Sequence, residues 1–243
     1  MRTLKMLIVL IYSLLWTLPF FPKIRRLQGE NRTEELRALL ADMGRQWGRM
    51  LVEASGSTVT VEGAERIPQD QAVVVVANHQ GYFDIPVLLG YFPKPAAYIA
   101  KAGVRKVPIL GALNAYYGTV FIERGNPREA LKAIQQGVQR IQEGQSLVIF
   151  PEGTRSPDGH LLPFKPGALK LAQKSKAPIV PVTLVNTRGI MAKGGLAIRK
   201  ADIRILIGDP IDPEAEGSVD LAELIQAQIA GNLEKWQAFG GRS

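Results

Sequence analysis

The chain has 243 residues, 46% of them hydrophobic and 21% charged, with 30 Lys and Arg against 22 Asp and Glu, no Cys and two His. That balance excludes a disordered chain and suffices for one generous domain with an appendage. Without Cys there are no disulfides, thiolate zinc sites, iron–sulfur clusters or catalytic thiols, and two His leave almost nothing for an imidazole metal site, so the chemistry falls to oxygen and nitrogen groups.

The net charge of +8 points to a negatively charged partner: a phosphate-bearing substrate, a membrane surface or a nucleic acid. Half of the excess lies in residues 1–53, where nine basic side chains meet five acidic ones. There Met6–Pro22 reads MLIVLIYSLLWTLPFFP, 17 uncharged residues between Arg2 and Lys5 on one side and Lys23, Arg25 and Arg26 on the other. As a helix it reaches about 26 Å against a hydrocarbon core of about 30 Å. Pro19 and Pro22 break or kink its last turn, and basic residues at both ends give no inside–outside asymmetry. Insertion from one side, into one leaflet, is favoured over a span. The following Lys23-Ile24-Arg25-Arg26-Leu27 offers no small-x-small cleavage site, which argues against a signal peptide.

Thr33 to Ser55 carries Leu36, Leu39, Leu40, Met43, Trp47, Met50 and Leu51 at helical spacing, an amphipathic helix with Asn31 and Glu34 as a capping pair. Its apolar face can pack on the protein's own core or lie on lipid. An apolar helix, a basic turn and a basic amphipathic helix in succession favour a membrane anchor over residues 1–55, with anionic lipids as partners.

From about residue 56 to residue 243 the pattern is that of an α/β domain. Strands are expected at Thr58–Val61, Val73–Ala77, Ala97–Ala100, Thr119–Ile122, Leu147–Phe150, Ile179–Leu184 and Ile203–Ile207, and helices at Asp84–Leu89, Arg128–Gln142, Gly167–Lys174 and Leu221–Phe239. Several strands are continuous apolar runs, as in strands covered on both faces. The alternation predicts a mixed, largely parallel sheet flanked by helices, whose ligand site lies beyond the carboxyl ends of its strands.

After Val73–Ala77 comes Asn78-His79-Gln80-Gly81-Tyr82-Phe83-Asp84. On a regular helix His79 and Asp84 would face about 140° apart, so their pairing needs a turn, which Gly81 allows. The carboxylate would then take one imidazole N–H and leave the other nitrogen as a base, the arrangement used in acyl transfer. A hydrogen-bonded structural His is the alternative. After Leu147–Phe150 comes Pro151-Glu152-Gly153-Thr154-Arg155-Ser156, whose free backbone N–H groups, hydroxyl and guanidinium suit a phosphate; the alternative is a surface turn with an exposed Glu152–Arg155 ion pair. Arg124 follows Phe121-Ile122-Glu123, and Lys101 follows Tyr98-Ile99-Ala100, so four polar elements stand at four strand ends.

Asn78-His79-x4-Asp84, Phe121-Ile122-Glu123-Arg124, Phe150-Pro151-Glu152-Gly153-Thr154-Arg155-Ser156 and Ile179-Val180-Pro181-Val182 resemble, in order and spacing, the four motif blocks of the 1-acyl-glycerol-3-phosphate acyltransferases. The resemblance covers roughly residues 55–210. The His-x4-Asp block is loose by itself and the FPEGTRS block highly specific; Glu123, where the family usually has Asp, is a conservative departure.

The resemblance implies transfer of a fatty acyl group from acyl-acyl carrier protein or acyl-coenzyme A to lysophosphatidic acid, giving phosphatidic acid, at the cytoplasmic face of the cell membrane. It implies His79 as general base and Asp84 as its orienting partner. Arg124 and Arg155, with Gly153 and Thr154, would grip the acceptor phosphate, and Glu152 would orient an Arg or an acceptor hydroxyl. Lys101 and backbone N–H groups are candidates for the oxyanion, and the reaction needs no metal or cofactor.

Related acceptors such as glycerol 3-phosphate or another lysolipid remain open, as does a non-catalytic basic membrane-binding protein. A hydrolase is disfavoured by the lack of a Gly-x-Ser-x-Gly elbow, and nucleic acid by the lack of a Gly-rich basic tract, aromatic-studded strand or Walker-type run. His160 falls in a turn-forming stretch and reads as an exposed loop residue. Residues 98–132 hold six basic side chains against two acidic, a basic zone near the acceptor phosphate and a possible docking surface for an acidic carrier.

Overall fold

The computed structural model describes residues 2–123, 127–165, 167–191, 194–214 and 220–238. It begins as a helical rod: α1 (Arg2–Trp16) passes through one 3₁₀ turn (Leu18–Phe20) into α2 (Phe21–Gly29). Pro19 and Pro22 each stand in the opening positions of the helix that follows, where a missing N–H breaks no bond. They end α1 without ending the rod. The basic turn expected after the apolar run is therefore a helix, with Ile24 and Leu27 buried and Lys23, Arg25 and Arg26 outside. Arg2–Gly29 is long and apolar enough to cross a membrane by length and composition, and Leu4, Leu7, Ile8, Ile11, Tyr12 and Leu15 face outward from it.

Asn31 adopts a left-handed conformation, φ 53°, which turns it out of the capping position of α3 (Thr33–Ser55). The Asn31–Glu34 capping pair does not form. Arg32 takes the N-cap position and its guanidinium donates to Glu35 at 2.6 Å and to Glu30 at 3.1 Å. The α3 stripe of Leu40, Met43, Leu51 and Val52 is buried against protein, so for these residues the core-packing reading holds. At Gly48 α3 crosses α4 (Asp84–Tyr91) so closely that a Cβ would press on Pro86 O and stand 2.6 Å from Gly90 N.

The seven expected strands are present: β1 (Thr58–Glu62), β2 (Val74–Ala77), β3 (Ala96–Lys101), β4 (Val120–Ile122), β5 (Ser146–Ile149), β6 (Ile179–Val185) and β7 (Asp202–Ile207). They form one sheet in the order β1-β7-β6-β2-β5-β3-β4. β6, β2, β5, β3 and β4 run parallel, β7 is antiparallel to β6, and β1 runs with β7.

The remaining helices are α5 (Leu110–Tyr116), α6 (Pro127–Gln142), α7 (Lys170–Ser175) and α8 (Leu221–Ala238). α5 has too few residues for a periodicity to stand out; it closes against α2 and α3 through Leu113 and Tyr116. Successive side chains of a strand point to opposite faces. Val75 and Ala77 thus join Leu51, Val87 and Leu88 beneath α3 and α4, while Val74 and Val76 join Ala133, Leu171, Ile225 and Ile229 beneath α6, α7 and α8. Both faces are covered, which is why β2 is an unbroken apolar run. The parallel block also brings the residues after β6, β2, β5 and β3 to one edge of the sheet.

Candidate active site

His79 leaves the end of β2 just before α4 begins, and the chain turns between them through Gln80 and Gly81. His79 Nδ1 lies 2.6 Å from Asp84 Oδ2. The same oxygen accepts the backbone N–H of Gln80 at 2.7 Å and of Gly81 at 2.9 Å. Asp84 Oδ1 accepts the Thr187 hydroxyl. Asp84 is fully buried, a position that costs an ionised carboxylate several kcal/mol unless donors replace water. Four donors and a place in the first turn of α4, where the helix dipole favours a negative charge, provide that replacement.

The backbone of His79 is fixed independently of its ring. Its N–H donates to Glu152 Oε1 at 2.5 Å, and its carbonyl accepts the Ser156 N–H at 2.8 Å. The ring stacks on Phe150 with centroids 4.2 Å apart and 18° between planes. Nε2 makes no hydrogen bond among the described residues, and the side chain is 17% exposed. Beside it, the Asn78 side chain donates to Leu184 O at 2.9 Å and accepts from Leu184 N at 2.7 Å, tying the end of β2 to β6.

Glu152 pairs with backbone and not with Arg155. It is 2% exposed, and its second oxygen accepts the Leu162 N–H at 2.9 Å. Burial pushes its carboxyl above the usual range, against the pull of these two backbone donors. The exposed Glu152–Arg155 pair is excluded by the same geometry. Gly153 has φ 65°, a left-handed conformation that favours glycine. The Arg155 guanidinium lies 3.7 Å from the centroid of the Tyr82 ring, a cation–π contact that holds it over the His79–Asp84 loop.

Lys101 ends β3 and is exposed. β5 stands between β3 and β2, so its backbone is two strand spacings, about 10 Å, from β2. Arg124 lies outside the described residues. His160 is in an exposed turn whose N–H donates to Asp158, as the sequence suggests. The site thus unites His79, Asp84, Glu152, Gly153, Thr154 and Arg155, with Lys101 farther along the edge.

A model of the acyltransferase family matches residues 58–185, just over half of the chain. The chain belongs to the acyltransferase family. Among curated relatives, a 1-acyl-sn-glycerol-3-phosphate acyltransferase of Cocos nucifera is 34% identical over 198 residues, 80% of this chain and 64% of that protein. A chloroplastic one of Brassica napus is 37% identical over 62% of this chain and 44% of its own length. One of Borreliella burgdorferi is 31% identical over 74% of this chain and 73% of its own. The chain therefore spans less than two thirds of the length of some of these relatives. The crystal structure of the 1-acyl-sn-glycerophosphate acyltransferase of Thermotoga maritima aligns with a TM-score of 0.79 at 29% identity, over 98% of each chain.

Within this family fold, sequence reading misses Thr187, Tyr82 and Phe150 as parts of the site. Thr187 is two residues past β6, the same strand-end rule that draws attention to Glu152, yet nothing in one chain links it to Asp84 across 103 positions. The Ile179–Val182 block is wholly buried in β6. It pairs with β2 and leads the chain to Thr187.

Proposed function

We propose that this chain transfers a fatty acyl group from an acyl thioester to the 2-hydroxyl of 1-acyl-glycerol 3-phosphate, making phosphatidic acid. The observation that carries the reading is the His79–Asp84 pair one strand away from the Pro151–Ser156 turn on a shared sheet edge. The acceptor's 2-hydroxyl and its phosphate are borne on neighbouring carbons, a separation comparable with one strand spacing of about 4.8 Å. A base at the end of β2 and cations at the end of β5 match that pair of groups. The names borne by the relatives support the same substrate class.

In this mechanism Asp84 fixes His79 with its proton on Nδ1, so Nε2 accepts the proton of the hydroxyl as its oxygen attacks the thioester carbonyl. A positioned base of this kind contributes about 10² to 10⁴ in rate. The tetrahedral intermediate expels the thiolate, and the imidazolium returns its proton to that sulfur. Asp84 stabilises the imidazolium throughout. Arg155, pre-oriented on Tyr82, grips the phosphate with the N–H groups of Gly153 and Thr154 and with Arg124. Lys101 extends the basic rim. The donor is an acyl-acyl carrier protein or acyl-coenzyme A.

The outward apolar residues of α1 and the basic flank of α2 support seating the chain in one leaflet against anionic lipid, and the proposed side is the cytoplasmic face. The test is a membrane-fraction assay with lysophosphatidate and acyl thioesters of graded length. Wild type should form phosphatidic acid, and His79→Ala should lose activity while staying in the membrane fraction. An active His79→Ala variant would end the general-base assignment, and a preference for glycerol 3-phosphate or a lysolipid without a phosphomonoester would end the acceptor assignment.

A further inference from the structure

Beyond the turn, the chain folds back over it. Leu162 N–H reaches Glu152 Oε2 at 2.9 Å, and Lys165 N–H reaches Pro151 O at 3.0 Å, so residues 162–165 are latched across the Pro151–Arg155 segment at two points. This latch delivers the Lys165 stem onto the bare face of Gly153. A Cβ added at Gly153 would stand 3.0 Å from Lys165 Cδ and Cε and 3.5 Å from Nζ. The absent side chain at position 153 is therefore the space that the lysine occupies, in addition to the left-handed backbone that glycine allows there.

A lysine stem can lie on a glycine merely to shelter its methylenes, with its head paired to a nearby acid. The acid one residue away, Glu152, makes no ion pair with it. It is buried, and its oxygens already accept the N–H groups of His79 and Leu162. Lys165 is exposed and makes no ion pair among the described residues. Among the described residues its ammonium thus has no acidic partner, and it stands beside Gly153, on the turn that also carries Arg155 and that holds the backbone of His79.

We infer that Lys165 is a phosphate-binding residue, a second cation on the Gly153 turn that completes, with Arg155, the cradle for the acceptor's phosphomonoester. The inference rests on the acyl-transfer reading above and extends it to a residue ten positions beyond Arg155. Lys supplies a compact point charge here, whereas Arg155 supplies a planar fork, and a dianionic phosphomonoester can take both. Because Lys165 touches the turn through its stem and not the reacting atoms, it acts on acceptor binding and not on proton transfer.

The experiment measures initial rates for wild type, Lys165→Gln and Lys165→Arg with lysophosphatidate, with monoacylglycerol as a phosphate-free acceptor, and with varied acyl donor. Loss of one charge-assisted contact should raise the lysophosphatidate KM of Lys165→Gln about tenfold. The donor KM and the trace rate on monoacylglycerol should stay at wild-type levels, and Lys165→Arg should keep most of the affinity. An unchanged acceptor KM overturns the inference, as does a rise in the donor KM alone, which would assign the cation to a phosphate of the thioester carrier. A wild type that acylates no lysophosphatidate overturns the acyl-transfer reading itself, a result distinguishable because it precedes any variant.

Discussion

Asp84→Asn separates the charge of this carboxylate from its shape. Oδ2 receives three donors, His79 Nδ1, Gln80 N and Gly81 N, whereas Oδ1 receives the Thr187 hydroxyl. An asparagine satisfies this pattern in one orientation, with its carbonyl oxygen toward the three donors and its amide toward the Thr187 oxygen, which can accept. The loop and the imidazole tautomer are then retained and only the negative charge is lost. An ion pair about 4 Å between charge centres contributes about 4 kcal/mol at an effective dielectric of 20. Screening at the partly exposed His79 reduces that to about 2–3 kcal/mol, or about 30- to 150-fold. Steady-state kinetics should show kcat lowered within that range and both KM values nearly unchanged, with a melting temperature close to that of wild type. A kcat within threefold of wild type would refute imidazolium stabilisation by Asp84. A variant that no longer folds would show that the charge serves the loop and not the base.

Thr187→Val keeps the volume and removes the hydroxyl that meets Asp84; kcat should fall about tenfold with KM unchanged, and Thr187→Ser should restore it. Full activity in Thr187→Val would remove Thr187 from the positioning of the pair. Glu152→Gln puts an amide N–H against one of the two backbone donors, His79 N–H or Leu162 N–H, and should destabilise the fold by about 1–3 kcal/mol. Because the folded carboxyl is raised, the stability it confers relative to a non-titrating residue is fully present below its unfolded value of 4.5 and is lost as pH rises through the folded value. The gap in melting temperature between wild type and Glu152→Gln should therefore narrow from acid toward neutral pH, and a gap that widens would contradict the assigned shift.

Much of this chain is legible without its structure because local chemistry dictates local form. The unbroken β-branched run Val73–Val76 marks a strand covered on both faces, and the chain turns through Gln80 and Gly81, whose N–H groups meet Asp84, so that His79 reaches the same carboxylate. The Pro-Glu-Gly-Thr-Arg run marks a turn after β5, and its glycine takes the left-handed conformation that such a turn uses. Pro19 and Pro22 mark a helix break by their missing N–H groups, but whether the chain turns or restarts as a helix depends on α2 finding α3 to bury Ile24.

What the tertiary structure decided is the pairing of groups remote in the chain. Thr187 meets Asp84 because β6 lies beside β2, and Glu152 turns inward because the backbone N–H groups of His79 and Leu162 converge on it. The stem of Lys165 rests on Gly153 because residues 162–165 return across the turn. Periodicity and spacing report which faces a segment must bury, since that is a property of consecutive residues. They do not report which distant donor a buried carboxylate receives, because that is set by strand order, and strand order is a property of the whole chain.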